Sequence, residues 1–230
     1  MRKKSLVIIC VFLTLVVFQN CSSKPEEGLL KRYFNAVRMN DNDTMSSMAL
    51  EPMTIDYASF DIMAVTPERI DSVFIADLGR KENEAKKKMD DHITPTLDAK
   101  DALDIAKDEF DAARTKGAKQ AAQKQMDEAQ AKYDQEYSVH KELQKEYNDA
   151  KTAASKEEEI TAFSLGAKDM PNIRSLTGSV YSKDVDIKIK TKSGTTKNYR
   201  LFMRKYDLKD EATSMKHNGR WVIIKFESLG

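Results

Sequence analysis

Residues 106–129 read AKDEFDAARTKGAKQAAQKQMDEA, and the reading of this stretch decides the fold. It is built from Ala, Lys, Glu, Asp and Gln, mostly residues that lose little freedom in a helix. Within it, Arg114-Thr115-Lys116-Gly117-Ala118 predicts a helix end with Gly117 as its cap, followed by a new helix. The same composition runs outward to about residue 80 on one side and 158 on the other. A 4-3 spacing on the first arm joins Ala85, Met89, His92, Thr96, Ala99, Leu103, Ala106, Phe110 and Ala113. On the second it joins Ala122, Met126, Ala129, Tyr133, Glu136, His140, Leu143, Tyr147, Ala150 and Ala154. Folding back at Gly117 sets Phe110 against Met126, Leu103 against Tyr133 and Met89 against Tyr147. The expectation is an antiparallel α-helical coiled-coil hairpin over residues 80–158. Arms of about 40 residues reach about 60 Å at the rise of an α-helix.

The seam has one polar interruption. His92, Thr96, Glu136 and His140 fall in neighbouring layers, with Pro95 beside them, and the proline predicts a kink or break. A metal or proton-sensitive site is one reading of His92, Glu136 and His140. A polar patch that fixes register is the preferred one, because polar seam residues commonly serve that end. No metal site is assigned.

Outside the hairpin the signals are mixed. Leu29, Leu30, Tyr33, Phe34 and Val37 recur at helical spacing and predict a helix over 26–39. Thr44 or Asp43 is expected to cap a second, short helix through Met48 and Leu50. The Asp41-x-Asp43 pair lacks the ladder of a calcium loop and reads as a cap. Thr54 to Val65 reads as a strand, bulged near Ser59, and Thr66-Pro67 as the start of a helix. Val185, Ile187 and Ile189 alternate with Asp184, Asp186, Lys188 and Lys190, a strand with one wet face. A second strand is expected over 198–206 and a closing one over 221–226, with Asn218-Gly219 as a hairpin turn. Together these predict a three-stranded antiparallel meander.

Charged residues are 33% of the chain and its net charge is +1, with acids and bases interleaved, so no basic face for nucleic acid is expected. The two cysteines are Cys10 and Cys21. Arg2, Lys3 and Lys4 precede an apolar run from Leu6 to Phe18, too short for a transmembrane helix, and then Gln19, Asn20 and Cys21-Ser22-Ser23. This N-terminus resembles a bacterial lipoprotein signal, with Asn20 where that family prefers a small residue. The resemblance implies cleavage after residue 20, lipid on Cys21, a tether over 21–27, and a cell-envelope location at the outer membrane, facing the periplasm. With Cys10 removed, no internal disulfide is expected.

The segments Leu29 to Val37, Asn42-Asp43-Thr44-Met45, and Asn218-Gly219-Arg220-Trp221-Val222-Ile223 carry a second resemblance. They look like the nuclear-transport-factor-2-like, or cystatin-like, α+β cone of small bacterial lipoproteins. The resemblance implies an α+β class and a discontinuous sheet domain over 28–79 and 161–230, with the hairpin inserted. It also implies a pocket, for which Tyr57, Tyr181, Tyr199 and Trp221 are candidate lining residues. The efflux adaptors, lipidated and hairpin-bearing, offer a weaker analogy, because their Gly-rich lipoyl half-motifs are absent here. No nucleophile with a base, phosphate loop or zinc pattern is present, so no catalytic residue is assigned, no enzyme is expected, and no cofactor is expected. The functional expectation is a lipid-anchored structural or interaction protein. Its hairpin tip, with Phe110, Arg114, Lys116, Gly117 and Lys119, would meet an envelope protein; small-ligand binding by the cone is the alternative.

Overall fold

The computed structural model describes residues 24–167, 170 and 172–230. The expected signal segment and Cys21 lie outside the described residues. The fold is α+β. Helix α1 (Pro25–Met39) opens with Pro25 in its first turn, where a missing N–H costs nothing. Glu26 and Glu27 follow in the same turn, where the helix dipole favours negative charge. Left-handed Asn40, at φ 54°, ends the helix. Leu29, Leu30, Tyr33, Phe34 and Val37 are all buried, as their spacing predicts. Helix α2 (Asn42–Met48) is capped by Asp41, not by Thr44 or Asp43. The Asp41 carboxylate accepts from the Thr44 N–H at 3.0 Å and from its hydroxyl at 2.6 Å. Those two hydrogen bonds, the hydroxyl's first, hold the carboxyl below its ordinary value.

The strands are β1 (Ser59–Val65), β2 (Arg69–Ser72), β3 (Thr177–Lys190), β4 (Thr196–Lys209), β5 (Lys216–Asn218) and β6 (Val222–Ser228). They form one antiparallel sheet of six strands in four lanes. β3 and β4 are the long central pair, β1 and β2 share the outer edge of β3, and β5 and β6 share the outer edge of β4. Four expectations are corrected here. The first strand begins at Ser59, not Thr54, and its register slips between Ile62 and Ala64, not at Ser59. The segment after Pro67 is a strand, not a helix. Thr66 spends its capping hydroxyl on the sheet, accepting from the Asp184 N–H at 2.9 Å, and so feeds β2 onto β3. The expected C-terminal meander is present as β3, β4 and β6, with the short β5 lying end to end with β6 along β4. Asn218-Gly219 is therefore not a hairpin turn. The chain turns over 210–215, closed by the Asp210 N–H on the Met215 carbonyl. Gly219 sits where a Cβ would lie 2.5 Å from both the Tyr206 carbonyl and the Ser164 hydroxyl.

The two cores lie on opposite faces of the β3–β4 ribbon. Val185, Ile187, Ile189, Leu201 and Met203 point to one face and pack under α1 and α2. Phe34 stacks there on Tyr57 and Phe60 at 5.0 and 4.8 Å, and the Tyr33 hydroxyl accepts from the Met53 N–H at 2.8 Å. Farther along, Val180, Tyr206 and Leu208 have the other parity and point to the other face. They pack with Ile75, Ile160, Ile173 and Leu176. Side chains alternate strictly along a strand, so an unbroken register that buries odd positions at one end and even positions at the other must serve two layers.

The second layer is helical. α3 (Ile75–Asp91), α4 (Ile93–Ala112) and α5 (Lys116–Leu165) follow β2. The break between α3 and α4 falls at His92, and Pro95 sits in the first turn of α4, where proline is tolerated. The helix end assigned to Gly117 is misplaced. α4 ends at Ala112 in an extended Ala113, and Thr115 caps α5 by accepting from the Ala118 N–H at 3.2 Å. Gly117 is inside α5. Nor does α5 stop at 158. Its 50 residues run on to Leu165 and end at left-handed Gly166.

Candidate functional site

Helices α3 and α4 lie in series along α5 and run opposite to it. From the sheet outward, Arg174 joins Glu82 of α3 to Glu158 of α5 at 2.6 and 2.8 Å, Lys88 meets Glu146 at 3.0 Å, and His92 meets Glu136. Lys119 lies 4.9 Å over the Phe110 ring at the far end. The residues buried between the helices are mostly small: Ala85, Ala99, Leu103, Ala106, Ala122 and Ala154. Small side chains let helix axes approach closely. The five candidate tip residues do gather at this end, with Phe110 half-buried and Arg114, Lys116, Gly117 and Lys119 exposed.

The polar interruption also assembles. His92 Nε2 is 3.1 Å from Glu136 Oε2, and the rings of His92 and His140 stack with centroids 6.3 Å apart. Thr96 Oγ1 reaches His92 Nδ1 at 3.2 Å. His140 Nδ1 is buried with no partner among the described residues. Among those residues, no group of three His, Cys, Asp or Glu is placed to hold a metal ion.

At the base, α5 grips the sheet through a group the sequence reading missed. Glu157 is buried, accepting from the Tyr206 hydroxyl at 2.6 Å and from Arg204 at 2.8 Å. Burial, and next the Glu157 charge, push the Tyr206 phenol well above its ordinary value. Burial also opposes the Arg204 charge, but Tyr206 and Glu157 outweigh it and hold the guanidinium above its usual value. Two turns on, the Ser164 hydroxyl donates to the Arg220 carbonyl at 2.8 Å and accepts from the Tyr206 N–H at 3.2 Å. The signal that marks Glu157 in the sequence is its place in a stripe of small and apolar residues, Ala154, Ile160, Thr161 and Ser164, at helical spacing.

The four aromatic residues expected to line one pocket do not converge. Tyr57, Tyr199 and Trp221 pack against the α1 core, and Tyr181 lies on β3 under Lys205. The larger cleft, about 1040 Å³, lies elsewhere: between α2 and the base of α5, with Leu50, Ser155, Glu158, Ala162, Phe163 and Arg220 in its wall. Trp221 borders a smaller cleft of about 290 Å³ beside the start of α1. No described helix is long and apolar enough to cross a membrane. In comparison with family models, curated proteins and solved structures, the chain matches none.

Proposed function

We propose that this is a bacterial lipoprotein, cleaved before Cys21 and held by lipid there, that works as a structural or interaction module through a helical hairpin. In this reading, residues 80–158 are an antiparallel coiled-coil insertion in a cone-like sheet domain over 28–79 and 161–230. The observation that carries it is the length of α5. From Lys116 to the residues that reach the sheet near Glu157 is about 40 residues, or about 60 Å. Such a projection adds nothing to a small-molecule pocket at its base, and it greatly extends the reach of a tethered protein. Its surface carries mixed charge in exposed pairs, including Lys124–Glu128 and Lys86–Asp90. Such a face suits a polar or transient contact. The partner is an envelope protein met at the tip. The anchor is outer-membrane lipid, with the body in the periplasm, and no catalysis, cofactor or nucleic acid enters the reading.

The small-ligand alternative rests on the 1040 Å³ cleft, which reaches the size of ordinary ligand sites. Two variants separate the readings. Charge reversal at Lys116 and Lys119 should disrupt function while Phe163→Ala leaves it intact; the opposite pattern favours the ligand site. Fractionation of Cys21→Ala tests the anchor: an unprocessed, larger precursor supports it, and unchanged mobility and detergent partitioning reject it.

A further inference from the structure

The smaller cleft has a chemistry of its own. Its wall is built from Pro25, Leu29 and Arg32 of α1, Ser47 and Met48 of α2, and Arg220 and Trp221 ahead of β6. Arg32 and Arg220 are exposed, and among the described residues neither guanidinium is paired with a carboxylate. Arg69, Arg80, Arg174, Arg200 and Arg204, by contrast, all hold acids, while Arg38 meets the side-chain carbonyl of Asn35. Arg220 stands between the two clefts, its guanidinium 5.6 Å over the Phe163 ring of the larger one, a contact that spends none of its N–H donors. In the same wall Leu29 and Met48 are buried apolar residues, and Trp221 is half-buried. Two guanidiniums with no carboxylate partner among the described residues, beside buried apolar side chains, suit an anion that carries a hydrocarbon portion. Guanidinium binds phosphate through paired N–H donors, and Trp favours the boundary between headgroups and hydrocarbon.

The occupant follows from where the chain leads. Pro25 is on the rim of this cleft, and Cys21 is four residues before it. Four extended residues span at most about 14 Å. On the lipid-anchor reading, on which this inference rests, the rim is therefore held at headgroup level. We propose that the Arg32–Arg220 cleft receives the phosphate of a phospholipid in the membrane that holds Cys21, so that this face of the sheet domain lies on the bilayer.

The test uses the chain from residue 21 with Cys21→Ser, which has no acyl anchor, so its outcome bears on the cleft and not on lipidation. Co-sedimentation compares vesicles of phosphatidylcholine alone with vesicles that also contain phosphatidylglycerol. Binding to the anionic vesicles is expected. Arg32→Gln with Arg220→Gln should weaken it about 25-fold, at about fivefold for each basic residue lost near an anionic surface. Lysine at both positions keeps the charge but loses the paired donors, so it should recover only part of the binding, and Lys124→Gln on α5 should change nothing. Thermal unfolding of each variant checks folding, and both arginines are exposed, so little change is expected. Equal vesicle binding by the double Gln variant overturns the proposal. So does failure to bind vesicles, whether or not calorimetry detects inorganic phosphate at the cleft; phosphate binding alone would make it a site for a free anion. Fractionation of Cys21→Ala in cells decides the anchor separately.

Discussion

Tyr206→Phe tests how the long helix is joined to the sheet. The substitution keeps the ring, which is fully buried, and removes only the hydroxyl. That hydroxyl donates to Glu157 at 2.6 Å and leaves a carboxylate oxygen inside the protein without its partner when it goes. Hydrogen bonds to charged groups contribute about 1.5–3 kcal/mol, and Glu157 is buried enough for the upper half of that range, so about 2–3 kcal/mol should be lost. In a chain of this size each kcal/mol moves the midpoint about 2–4 °C, giving a fall of about 4–12 °C. Arg204→Leu should cost less than the 3–5 kcal/mol of a fully buried pair, because its side chain is 25% exposed; about 1–2 kcal/mol is expected. Chemical denaturation measures the equilibrium loss, and amide exchange locates it. The pH dependence gives an independent reading. The folded phenol titrates above its ordinary 10.0, so its contribution is complete below pH 10 and is lost as pH rises from there toward the folded value. The stability gap between the wild type and Tyr206→Phe should therefore narrow above pH 10. A loss under about 0.5 kcal/mol, with unchanged amide protection at Ile160 to Leu165, would refute the claim that this contact fastens the helix.

Three further outcomes follow from particular residues. Leu103→Ala, at the most buried large side chain between α4 and α5, should cost about 2–3 kcal/mol, and exchange should quicken over 96–140 while Val185 to Ile189 stay protected. Gly219→Ala forces a Cβ against the Tyr206 carbonyl and the Ser164 hydroxyl and should destabilise by about 2–3 kcal/mol in denaturant titration. His140→Leu removes a buried nitrogen that has no partner among the described residues and should leave the thermal midpoint equal or higher, whereas His92→Ala, which strips Glu136 of its contact, should lower it.

What could be read from the sequence and what could not divide along physical lines. The face of α1 was legible because five apolar residues repeat at 3.6 and all bury against one layer. The wet face of residues 184–190 was legible for the same reason at a period of two. The extension of β3 back to Thr177 was not, because its inward parity changes when the covering helix moves to the other face. Only Val180 and Tyr181 then carry apolar weight along Thr177 to Lys183. Thr66-Pro67 reads as a helix start because a threonine cap looks the same in sequence whether its hydroxyl meets a helix or, as here, the Asp184 N–H of a distant strand. The meeting of His92, Glu136 and His140 was legible because one spacing rule placed all three. Glu157 was legible only as sharing a face with Ala154, Ile160 and Ser164; its partners were not, since Arg204 and Tyr206 are brought to it across the fold.

The central claim is that a lipid-anchored protein works through the far end of its helical arm. A photo-crosslinking residue placed singly at Lys116, Phe110, Tyr199 or Tyr57 of the full-length protein in living cells tests it most directly. The account predicts a discrete crosslinked species from Lys116 and Phe110, absent from Tyr199 and Tyr57 and lost when Cys21→Ala releases the anchor. Crosslinks confined to Tyr199 or Tyr57, or tip crosslinks that persist without the anchor, would contradict it.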